Sequence, residues 1–95
     1  MYMEKLQKLE LMDKVVRELE DLKNSQLSLL KKLSQIEADN ITLQVSLLDK
    51  KLPDLHEEID TSVEIVNNLL EELQVHREKY FTENKLGVEI DPTAK

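Results

Sequence analysis

The sequence holds no cysteine and no tryptophan, a single glycine, Gly87, and two prolines, Pro53 and Pro92. Without cysteine there is no disulfide framework and no thiol chemistry. Aromatics are limited to Tyr2, Tyr80 and Phe81. So few turn formers and rings exclude a globule built on tight turns and an aromatic core. No run approaches the roughly 18 apolar residues of a membrane span. The opening Met1-Tyr2-Met3-Glu4-Lys5 lacks the apolar core of a signal peptide, which predicts a cytoplasmic protein.

Recognisable chemistry is missing as well. There is no glycine-rich phosphate loop and no basic stripe interleaved with aromatics. His56 and His76 have no second histidine three or four residues away, so a zinc site is not expected. Glu57-Glu58 and Glu71-Glu72 are adjacent acid pairs, read as solvated flanks because general acid–base work needs a cleft that perturbs them. The expectation is a non-enzyme with no catalytic residues, no metal, no cofactor and no small-molecule substrate.

What is present is Leu, Glu, Lys, Asp and Val, with charged residues at 35% and apolar residues at 40%. That mixture is typical of long helices and coiled coils and too apolar for a disordered chain. The net charge of −7 is uneven. Residues 1–51 balance, and the excess of acid falls on residues 52–95. An acidic half disfavours nucleic acid and anionic lipid.

From Met12 to Leu47 one heptad register runs unbroken. Met12, Leu19, Gln26, Leu33, Asn40 and Leu47 occupy its a positions, and Val15, Leu22, Leu29, Ile36 and Leu43 its d positions. Nearly all are apolar, which predicts a helix facing a partner helix. Asn40, polar at a, is a candidate for fixing register. Leu9, Val16 and Leu30 at e widen the stripe. A second seam starts at Ile41 and passes through Val45, Leu48, Leu52, Leu55, Ile59, Ser62, Val66, Leu69, Leu73, His76 and Tyr80. The seams overlap at residues 41–47 and face different directions, which suits a bundle of more than two helices.

Pro53 is the one strong breaker before the tail. Inside a helix a proline costs about 3 kcal/mol, and at the first position of a new helix almost nothing. Lys50 and Lys51 before it and Asp54, Glu57 and Glu58 after it would suit the ends of two helices. No Gly, Asn or Ser lies between Asp49 and His56 to make a tight reversal. The expectation is therefore all-α: a long coiled-coil helix over residues 1–51, a proline kink or break near residue 53, a second helix over 52–84 and a tail over 85–95. The bend is expected to leave the chain elongated rather than folded back. Gly87 could cap the second helix, and residues 86–90 alternate like a short strand.

The expected interface comprises Val15, Leu19, Leu22, Leu29, Leu33, Ile36, Asn40, Leu43, Leu48, Leu55, Ile59, Val66, Leu69 and Leu73. Partners are expected to be other helical subunits, with a hetero-oligomer favoured over a homodimer. A parallel homodimer would pair Glu18 with Lys23 and Lys32 with Glu37 across the two chains.

Some of the pattern resembles the snapin-like small helical subunits of the lysosome-related-organelle biogenesis complex. The matching residues are Ser25-Gln26, Pro53, and Val66-Asn67-Asn68-Leu69-Leu70 with Gln74. His56-Glu57-Glu58-Ile59-Asp60 is acidic where that family's second helix is basic. The resemblance implies a subunit of a multi-protein trafficking complex at the cytosolic face of endosomal or lysosomal membranes. Small kinetochore subunits share the same general features, which leaves a nuclear location open.

Overall fold

A computed structural model of the chain describes residues 2–86. Among them are two α-helices and no strand. Helix α1 spans Tyr2–Leu43 and helix α2 spans Ser46–Glu83. Neither is long and apolar enough to cross a membrane. No glycine or proline interrupts α1, and the mild dip at Asn24-Ser25 is absorbed without a break.

The described chain divides into two compact units. One is Asp21–Asn68, and the other joins the described parts of residues 1–20 and 69–95. In the first, the break between the helices falls at Gln44-Val45 and not near Pro53. The chain turns back on itself there, so the expected elongated bend is corrected. Gln26 meets Ser62, Lys23 meets Asn67 and Glu37 meets His56, which is antiparallel pairing of α1 with α2.

The turn works without glycine. Gln44 takes a left-handed conformation at φ 57°, strained for a residue with a Cβ by about 1–2 kcal/mol. Asn40 offsets that strain. Its backbone carbonyl accepts from Gln44 N–H at 2.7 Å, its side-chain Oδ1 accepts from Val45 N–H at 3.0 Å, and its Nδ2 donates to Asp49 Oδ1 at 2.7 Å. The Val45 carbonyl then accepts from Leu48 and Asp49 and opens α2. One buried side chain thus caps the end of α1 and ties it to the first turn of α2.

Pro53 lies inside α2, as its eighth residue. The helix runs through it although the Asp49 carbonyl loses an N–H partner there. Leu52 beside it is buried and Leu48 one turn earlier is half-buried. Burying leucines at about 1.5–3 kcal/mol each outweighs the proline penalty. Lys50, Lys51, Asp54, Glu57 and Glu58 consequently sit within α2 rather than at helix ends.

In the second unit, Asp13 of α1 meets Arg77 of α2, and Lys5 meets Tyr80. Leu9, Met12, Leu70 and Leu86 are buried there. Helix α2 ends at Glu83, where the Asn84 amide donates to the Tyr80 carbonyl at 2.9 Å and Lys85 turns left-handed at φ 53°. The helix therefore closes before Gly87. The expected Gly87 cap, the strand-like alternation and the remainder of the 85–95 tail lie outside the described residues from 87 onward.

Candidate helix-docking surface

The inward face of α1 in the unit Asp21–Asn68 is set by Lys23, Gln26, Leu30, Leu33, Glu37 and Asn40, and that of α2 by Leu48, Leu52, His56, Ile59, Val63 and Val66. Both rows step by three and four, which keeps one side of a helix against its neighbour. Leu33 is 3% exposed and Val66 8%. Polar pairs alternate with this apolar packing. Lys23 Nζ donates to Asn67 Oδ1 at 2.7 Å. Gln26 Nε2 donates to Ser62 Oγ, while Gln26 Oε1 is buried with no partner among the described residues. His56 Nδ1 lies 3.0 and 3.1 Å from the two Glu37 carboxylate oxygens. A slipped register would separate all of these groups at once, so they specify the pairing more than they strengthen it.

These contacts redistribute the expected interface residues. Leu33, Asn40 and Val66 are buried inside the chain's own helix pair, and Leu19, Leu48, Ile59 and Leu73 are half-buried. Val15, Leu22, Leu29, Ile36, Leu43, Leu55 and Leu69 are exposed. The heptad a and e positions of α1 turn inward, and its d positions turn to solvent. Lys23 and Glu37 are engaged with Asn67 and His56 within the chain, which corrects the pairing with Glu18 and Lys32. Asn40 acts at the turn rather than across a chain interface. His76 is exposed rather than in a seam.

The solvent-facing aliphatics have an order of their own. In the unit Asp21–Asn68, Leu22, Leu29, Ile36 and Leu43 recur every seventh residue and are roughly half exposed. Leu22, Leu29 and Ile36 each immediately precede an inward residue, Lys23, Leu30 or Glu37. On α2, Leu55 and Ser62 hold the same place before His56 and Val63. In an antiparallel helix pair these equivalent flanks fall on one side. The bond from Gln26 to Ser62 marks that side. It carries Leu22, Leu29, Ile36, Leu43 and Leu55. Asn67, reached by Lys23, marks the opposite side, where the exposed Leu27 and Ile41 stand two heptads apart and Ser34 and Asp60 break up the apolar surface. Monomeric proteins rarely leave a contiguous row of large aliphatics in water unless something docks there.

The other unit is closed by charge and rings. Arg77 Nε and Nη2 donate to the two Asp13 carboxylate oxygens at 2.7 and 3.2 Å, and its Nη1 donates to Glu78 at 2.9 Å. The guanidinium also lies 5.2 Å from the Phe81 ring centre, and Lys8 lies 5.3 Å from that of Tyr80. The Arg77 hydrogen bond holds the Asp13 carboxyl below its ordinary range, and the carboxylate in turn raises Arg77.

Sequence reasoning missed the inward roles of Lys23, Gln26, Glu37, His56 and Ser62. Charged and polar types are read as solvent-facing, and only the partner across the pair shows otherwise. The usable signal was the seam overlap at residues 41–47, since two seams out of phase are what a turn leaves behind. No protein-family model, curated protein or solved structure matches the chain.

Proposed function

We propose that the protein is a non-enzymatic assembly subunit that joins a multi-protein complex through coiled-coil-like packing of helices onto its aliphatic flank. The observation that carries this reading is the row Leu22, Leu29, Ile36 and Leu43, one residue in every seven, left in water on a helix whose inward face is already packed against α2. A hydrophobic row with that period fits a helix laid alongside it, since knobs repeat at the same spacing on the partner. Trafficking at the cytosolic face of endosomal or lysosomal membranes is the process implied by the resemblance of Ser25-Gln26, Pro53 and Val66-Asn67-Asn68-Leu69-Leu70 to the snapin-like subunits.

The test is affinity purification from the native cell, with mass spectrometry of the partners, for wild type and Leu29→Asp. The substituted residue is 52% exposed, so the chain should fold while a charge now stands where the partner packs. Loss of the co-purifying helical proteins is expected. Identical partner sets for the two proteins would sink the reading.

A further inference from the structure

We propose that the aliphatic flank of the unit Asp21–Asn68 binds the same flank of a second copy of this chain, turn beside turn, to form a four-helix bundle. The inference rests on the assembly reading above and names its first partner.

The apolar row is bordered on its outer edge by Lys32 and Asp39 on α1 and by Lys51 and Glu58 on α2. All four are exposed. Each stands four residues before or three after an aliphatic of the row: Lys32 follows Leu29, Asp39 follows Ile36, Lys51 precedes Leu55 and Glu58 follows it. They therefore rim the row as charged flanks rim a helix interface.

Their levels along the helix pair follow from the bonds that fix the register. Asn40 is level with Asp49, Gln26 with Ser62 and Lys23 with Asn67. By the same step, Lys32 is level with Glu58 and Asp39 with Lys51. A two-fold axis parallel to the helices keeps every level and sets α1 of one copy over α2 of the other. Lys32 then faces the second copy's Glu58, and Asp39 faces its Lys51. Symmetry repeats each pair, so four attractive contacts border the row. Ile36 falls opposite Leu55 of the second copy, and Leu22, Leu29 and Leu43 fill the rest of the seam. The rim is neutral overall although the chain carries −7. An acidic chain that sets two lysines level with two carboxylates beside its apolar row matches itself there.

Sedimentation of the purified full chain reads the outcome. A dimer is expected, and Leu29→Asp is expected to leave a monomer of unchanged helicity. Charge changes supply variants that do not touch the fold. Lys32→Glu should weaken the dimer by roughly tenfold, because both symmetric pairs turn repulsive. Combining Lys32→Glu with Glu58→Lys should restore it. A dimer that the double swap fails to restore, or that Leu29→Asp leaves intact, overturns the proposal. So does a wild-type chain that stays a folded monomer at high concentration. If that monomer still loses its cellular partners on Leu29→Asp, self-association has failed while the assembly reading stands.

Discussion

The two compact units use the same pair of helices and are held in different ways. In the unit Asp21–Asn68, polar side chains are turned inward as matched pairs, Lys23 with Asn67, Gln26 with Ser62 and Glu37 with His56, and the turn hangs on one buried asparagine. In the other, the Asp13–Arg77 fork joins α1 to α2 and is flanked by two cation–ring contacts. The contacts between Tyr2 and Leu86 and between Tyr80 and Lys5 are long, at 3.5 Å each. Inward polar pairs penalise slippage because each leaves groups unpaired if it breaks. A half-exposed fork and ring contacts hold with little penalty for release. The first unit is therefore the better specified one.

Three measurements test the difference between the two units. The largest effect is expected at Leu33, 3% exposed in the middle of the inward face. Leu33→Asp places an unpaired charge there and should cost about 3–5 kcal/mol, enough to abolish the helical melt seen by circular dichroism. Leu29→Asp, four residues away and on the water side, should leave the stability of the single chain within about 0.5 kcal/mol of wild type when both are melted too dilute for self-association. Equal damage from both would show that the two faces have been misassigned.

Asn40→Ala comes next. It removes the acceptor for Val45 N–H and the donor to Asp49 and leaves Gln44 strained, for about 2 kcal/mol. Hydrogen exchange should show faster opening of the amides on either side of the turn. If exchange changes only near residues 13 and 77, the turn does not anchor the first unit.

The smallest effect belongs to the other unit. Arg77 keeps Asp13 ionised below the ordinary carboxylate range. Between the folded and unfolded values the unfolded chain binds more protons, so stability rises with pH across that window. The contribution is complete above about pH 4 and is lost as pH falls through the folded value. Both side chains are partly in water, at 24% for Arg77 and 37% for Asp13, and screening holds the gain to about 0.5 kcal/mol. Thermal melts of Asp13→Asn and wild type should differ by that amount at pH 7 and converge near pH 2. A difference that persists in acid would place the contribution elsewhere.

Much of the fold was legible in the residues. Two long helices follow from the leucine spacing and from the scarcity of glycine and proline, and periodicity alone set Leu33, Val66 and the polar Asn40 in apolar seams. The turn was not, because its site rests on a non-glycine residue in a left-handed conformation. Gln44 looks like any helix former until the Asn40 side chain is placed against Val45. Pro53 drew attention as the strongest local breaker, yet a local penalty of about 3 kcal/mol yields to the burial of neighbouring leucines.

By itself, then, the sequence determined helicity and the existence of two seams, since these depend on composition and on spacing along the chain. Tertiary structure alone decided which seam positions the chain keeps for itself and which it leaves in water. Val15, Leu22, Leu29, Ile36 and Leu43 are as apolar as Leu9, Met12 and Leu33. Only the rotation of α1 against α2, set by the paired polar groups and the Asn40 turn, separates the buried positions from the exposed row.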